Sequence, residues 1–113
     1  MGGIVGKLSF DRDVQISSAT IQRMLDAVRH RGSATSGTYA APGIALGTCD
    51  AGSSIAAEVA GSAIGSIRAI ADAALSNSAS LFRSLTRLGH TFEHNSDAEL
   101  IAHAYEEWGD ACI

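Results

Sequence analysis

The side chains able to do chemistry are few and scattered. Cys49 and Cys112 are the only thiols. They stand far apart in a chain with no charged-then-apolar export signal, so they read as free thiols rather than as a disulfide. A thiol becomes a nucleophile when a base or cation beside it lowers its pKa. Cys49 sits in Gly47-Thr48-Cys49-Asp50-Ala51 with no basic or histidine neighbour, which makes it a poor nucleophile. His90, His94 and His103 raise the question of a metal. No pair of them has i, i+4 spacing within one helix, because a break at Ser96 intervenes. The reading therefore assigns no metal and no cofactor. Asp97 stands at a helix start, where a carboxylate complements the dipole. The glycine-rich opening, Gly2-Gly3-Ile4-Val5-Gly6, precedes a strand rather than a helix, so it is not a dinucleotide or phosphate loop.

The elements that must position these residues are legible in outline. Ile4, Val5, Leu8 and Phe10 read as a buried first strand, with Gly3 and Gly6 allowing close backbone approach. Ile21, Met24, Leu25 and Val28 recur at i, i+3, i+4, i+7 and predict an amphipathic helix. Ser17 or Ser18 caps it, and Gly32 ends it after Arg29-His30-Arg31. Strands are expected over 36–39 and 43–49, around the turn Ala41-Pro42-Gly43. Residues 50–63 are less readable, and 55–61 fit either a short strand or a helical turn. A further strand is expected over 66–71. Ser78 or Ser80 opens a second helix with the stripe Leu81, Leu85, Leu88 and a stop at Gly89. Ser96 and Glu99 form a capping box for a third. Its stripe is Ile101, Ala104 or Tyr105, and Trp108, which places Trp108 in the core. Gly109 stops it. Strand, helix, several strands, helix, helix is an α+β order.

Composition bounds the class. A chain of 113 residues is a single domain, 1–113, able to bury a thin core. Its net charge is -4, and the Lys and Arg residues, 8 in total, form no basic run. That argues against a nucleic-acid partner or an anionic membrane surface. No stretch approaches the roughly 18 apolar residues of a membrane span. The expectation is a cytoplasmic protein.

Met1-Gly2-Gly3-Ile4-Val5-Gly6, Arg29-His30-Arg31-Gly32, Ser36-Gly37-Thr38-Tyr39 and Ser96-Asp97-Ala98-Glu99 together resemble motifs of the class II glutamine amidotransferases, most closely the N-terminal glutaminase domain of asparagine synthetases. That family opens Met-Cys-Gly-Ile-Xaa-Gly, and loss of the methionine exposes a nucleophilic cysteine. Here Gly2 holds the position of that cysteine. Arg29-His30-Arg31-Gly32 matches the family's Arg-His-Arg-Gly, and Ser36-Gly37-Thr38-Tyr39 matches again. Gly43-Ile44-Ala45-Leu46-Gly47 resembles the strand before the family's His-Arg-Arg-Leu-Ser. The arginine that grips the substrate carboxylate there falls on Cys49. Asp72-Ala73-Ala74 aligns with Asn-Gly-Glu, whose first two residues form the oxyanion hole and whose glutamate helps hold substrate. Ser96-Asp97-Ala98-Glu99 resembles Ser-Asp-Thr-Glu, whose aspartate binds the substrate's α-amino group, and Ala104 to Gly109 resembles the family's helix ending.

The resemblance implies a truncated Ntn-hydrolase-like domain, part of an αββα sandwich with an antiparallel sheet and about three helices. It also implies degenerate catalytic positions at Gly2, Asp72 and Ala73, and ligand-binding positions at Asp97, Cys49 and Ala74. Without a nucleophile no thioester can form. A thiol at position 49 cannot make the bidentate clamp of an arginine. A carboxylate at position 72 faces a developing oxyanion with the wrong charge. The expectation is a pseudoenzyme that binds, scaffolds or regulates, as a homodimer or with a synthetase-type partner. An amide-processing enzyme of altered mechanism, or an amino-acid or amide sensor, is the alternative. The family fold runs beyond this length, so apolar sheet faces or strand edges are expected to need cover.

Overall fold

Residues 2–32, 35–50, 60–61 and 67–112 are described by a computed structural model, and they fall in two units, Met1–Val59 and Ala60–Ile113. In the first unit, strands β1 (Gly3–Leu8), β2 (Thr35–Ala41) and β3 (Ile44–Asp50) form an antiparallel sheet in the order β1-β3-β2. The hairpin β2–β3 turns on Pro42 and Gly43, with Tyr39 opposite Leu46 and Ala41 opposite Ile44. Proline pre-sets the first turn residue, and Gly43 takes the left-handed φ of +80° that the second requires. A side chain at Gly43 would also meet the Arg12 backbone at 3.1 Å.

Helix α1 (Ser18–Ala27) starts where Ser17 Oγ accepts the Ala19 N–H. A 3-10 turn over Arg29–Arg31 carries the chain on to Gly32. Ile21 and Leu25 are buried against Ala45 and Cys49, with Val5, Ile16, Met24 and Val28 packed around them. The expected stripe is therefore the inner face of α1. It settles on the sheet face made by Gly3, Val5, Ala45, Gly47 and Cys49, which share one side by register and alternation. A Cβ at Gly47 would lie 3.0 Å from both Ile21 Cγ2 and Val5 Cγ2, so only glycine lets the helix this close.

The other side of β1 departs from expectation. Ile4 and Leu8 are 51% and 65% exposed, and Phe10 is 99% exposed. A continuous apolar run suits a strand covered on both faces, whereas β1 in this unit is covered by α1 on one face only, so the residues of opposite parity meet solvent.

The second unit pairs the short strands β4 (Ala60–Gly61) and β5 (Arg68–Ala69) antiparallel, with helices α2 (Ser78–Arg87) and α3 (Asp97–Trp108). Leu85, Leu100 and Ala104 form its core, joined by Leu75, Leu81, Phe82, Phe92 and Cys112. Ser78 opens α2 as expected, with Asn77 as its N-cap. Leu88 is 53% exposed, because Gly89 turns the chain away with a φ of +96° before the stripe closes. The face of α3 is rotated from the one expected. Ala98, Glu99, Leu100, Ala102, His103 and Ala104 are buried, whereas Tyr105 and Trp108 are 45% and 39% exposed. Residues 100, 103 and 104 point inward, and that turns 101, 105 and 108 toward the rim. The final 3-10 turn, Gly109–Cys112, brings Cys112 back onto the core.

The architecture is α+β, with small antiparallel sheets and three helices among the described residues. No helix among them is long and apolar enough to cross a membrane. Most of the 50–63 stretch and Ser66 lie outside the described residues.

Candidate functional site

Gly2 and Cys49 belong to the first unit and come close together. Gly2 is buried just before β1, and Arg31 Nε donates to its carbonyl oxygen at 2.9 Å. The next residue, Gly3, pairs with Cys49 across the β1–β3 ladder. A Cβ at Gly3 would lie 3.2 Å from Cys49 Sγ and 3.3 Å from Val28 Cγ2. The Cys49 thiol is thus packed between strand and helix. It is 5% exposed, and its nearest acceptor is Val28 O at 4.0 Å. Both cysteines are free thiols.

Asp72, Ala73, Ala74 and Asp97 belong to the second unit. The first three are exposed on the segment leading to α2. Asp97 Oδ2 accepts the Leu75 N–H at 2.9 Å, so this carboxylate ties the segment immediately after Ala74 to the start of α3. Asp97 also lines an open cleft with Ser78, Phe82, Arg83, Asn95 and Leu100.

The most heavily engaged acid is Glu99, which the sequence presents as a partner in a capping box. Ser96 Oγ accepts the Glu99 N–H at 3.2 Å, which is half of a capping box. The Glu99 carboxylate does not return to Ser96. It accepts the N–H of Glu93 at 2.7 Å, of His94 at 2.9 Å and of Asn95 at 2.8 Å. Asn95 has a left-handed φ of 53°, which Asn tolerates, and this curls successive N–H groups around one anion. Burial pushes the Glu99 pKa up, but the backbone donors and the adjacent His103 outweigh it and hold the group below the ordinary value.

Beyond Glu99 the structure assembles a group that the sequence kept apart. His90 follows the turn at Gly89, and His103 and Glu106 stand one turn apart on α3. His90 Nδ1 lies 2.9 Å from His103 Nδ1. Glu106 Oε2 is 3.6 Å from His103 Nδ1 and 3.8 Å from His90 Nδ1. These atoms all fall within 4.8 Å of one another, a spacing that could hold a metal ion. His103 is 1% exposed and is fixed edge-on against Phe92 at 4.5 Å. Burial and then the charge of His90 lower its pKa, against the raising effect of Glu99 and Glu106. His94 stands outside this group, exposed beside Glu93. A search confined to histidine pairs at i, i+4 misses the cluster. The signal that could have found it is His103-Ala104-Tyr105-Glu106, an i, i+3 ligand pair on one helix.

No curated protein matches the chain. The family model of the glutamine amidotransferase domain matches residues 1–113 of this chain. With that full-length match, the chain belongs to the glutamine amidotransferase domain family.

Proposed function

We propose that this chain is a catalytically inactive amidotransferase-like protein of the asparagine-synthetase type. In this reading it works in the cytoplasm as a binding, scaffolding or regulatory subunit. The observation that carries the reading is the residue at position 2. Glycine there offers no nucleophile, and the thiol beside it, Cys49, is packed under Val28 with 5% exposure. Asp72 in place of an amide donor adds the wrong charge for an oxyanion. The partner is a second copy or a synthetase-type protein. In support of a partner, Ile4, Leu8 and Phe10 hold apolar surface in water at 51%, 65% and 99% exposure, a patch that association would cover.

The purified chain should release no ammonia from glutamine above a buffer blank. Gly2→Cys should not restore release, because the clamp and the oxyanion donors would still be lacking. Turnover that survives repurification would sink the reading. Light scattering should give a mass above the 11.6 kDa of one chain. A monodisperse monomer would remove the self-association arm.

One observation favours a second reading, a sensor of an amino acid or amide. Arg83 and Asp97 line the same cleft, opposite charges suited to the carboxylate and the ammonium of a zwitterion. Calorimetric heat with glutamine, without ammonia and lost in Arg83→Ala, would support it.

A further inference from the structure

We propose that His90 Nδ1, His103 Nδ1 and Glu106 Oε2 form a binding site for a borderline transition-metal cation, with zinc(II) the ion that the donor set fits. This rests on geometry within the second unit and is independent of the pseudoenzyme reading.

The first support is spacing. A tetrahedral zinc ion with bonds of about 2.0–2.1 Å holds its ligand atoms roughly 3.3 Å apart. The three separations here, 2.9, 3.6 and 3.8 Å, bracket that value. Small rotations of the rings and of one carboxylate close the triangle.

The second is an unpartnered atom. Glu106 Oε2 is buried without a hydrogen-bond partner among the described residues. Leaving a buried acceptor unmade is costly. Beside it the two Nδ1 atoms face each other, so at most one can donate to the other while both rings are neutral. A divalent cation gives all three lone pairs a partner at once.

The third is the outer shell. Metal-bound histidines commonly give their remaining ring N–H to a carboxylate. His90 Nε2 lies 3.0 Å from Glu107 Oε2, a hydrogen bond that places the proton on Nε2 and frees Nδ1. His103 Nε2 faces Glu99 Oε1 at the longer distance of 4.0 Å. Both rings thus turn Nδ1 inward and Nε2 toward a carboxylate. Two imidazoles and one carboxylate suit zinc or cobalt, whereas calcium and magnesium favour oxygen ligands.

The test uses the full chain, free of affinity tags and stripped with chelator. Titration with cobalt(II) should give a saturable signal at one ion per chain, with the visible bands of a tetrahedral site. Zinc(II) should displace it. Glu106→Gln and His90→Gln, with unchanged helical circular dichroism, should abolish stoichiometric binding. Glu107→Gln should weaken it by about 10–100-fold. Absence of saturable binding, or binding unchanged in both ligand variants, would overturn the proposal. So would a thiolate-to-cobalt charge-transfer band, which would assign the ion to Cys49 or Cys112. Should the variants fail to fold, X-ray absorption of the zinc-loaded wild-type chain decides it. Imidazole and oxygen neighbours support the site, and sulfur or all-oxygen coordination rejects it.

Discussion

Replacing Glu99 should unfold much of the second unit's stability. The side chain is 5% exposed and takes N–H bonds from Glu93, His94 and Asn95. Hydrogen bonds to charged groups contribute about 1.5–3 kcal/mol each. The donors belong to exposed residues, so water can reach them after truncation, and the loss falls somewhat below three lower-end values. Glu99→Ala should therefore cost roughly 3–4 kcal/mol. Against a typical stability of about 5–15 kcal/mol that is a large share. Glu99→Gln should be nearly as damaging, because its amide N–H₂ would face backbone donors that need an acceptor. Urea unfolding of chelator-treated protein, followed by the fluorescence of Trp108, measures the effect. With a slope of about 1 kcal/mol per molar for a small unit, the midpoint should fall by about 3–4 M. The sign with pH follows from the lowered pKa. Glu99 stabilises the fold above its unfolded pKa, near the ordinary 4.5, and that contribution is lost as pH falls through the lower folded value. The gap between wild type and Glu99→Gln should be full at neutral pH and narrow below that ordinary value. A midpoint shift under about 0.5 M at neutral pH, with unchanged slope, would refute the idea that the N–H cradle holds this unit together.

Packing gives two further expectations. Leu100→Ala, at 1% exposure, should cost about 2–5 kcal/mol, while Trp108→Ala, at 39% exposure, should cost less than half as much as truncating a buried tryptophan. Equal losses in chemical denaturation would show that α3 presents a different face. Gly47→Ala should destabilise the first unit by about 1–3 kcal/mol, since its methyl would press on Ile21, Val5 and Leu25 at 3.0–3.2 Å. A neutral or stabilising effect in a thermal melt would mean that α1 sits farther from the sheet.

What the sequence made legible was local. Pro42-Gly43 specified its own turn, and Ser17 and Ser96 marked their helices by the oxygens they offer to N–H groups. The α1 stripe could be read because its inner residues, Ile21 and Leu25, are themselves apolar. The α3 stripe could not. Two of its inner residues, Glu99 and His103, are ionisable, and a periodicity count scores them as outward-facing. They are inside because partners distant in sequence satisfy them, a curled backbone at 93–95 for Glu99 and His90 for His103. Hydrophobic pattern predicts burial when solvation alone decides it, and fails where polar groups bring their own partners.

The same distinction separates the two candidate sites. The amidotransferase positions follow the family resemblance residue by residue along the chain, and in the proposed reading Gly2, Cys49 and Asp72 are the positions where catalytic or binding groups are lost. The His90–His103–Glu106 group arises only when the turn after α2 meets the inner face of α3. Its parts look unremarkable in sequence: a histidine after a glycine, and a histidine and a glutamate one helical turn apart. Its chemistry depends on His103 being buried at 1% exposure and braced by Phe92. Placed so, its Nδ1 cannot turn to solvent and must find its partner in His90, in Glu106 or in an ion held by both. A cation at this point would tie the end of α2 to α3, adding a cross-link to the core around Leu85 and Leu100.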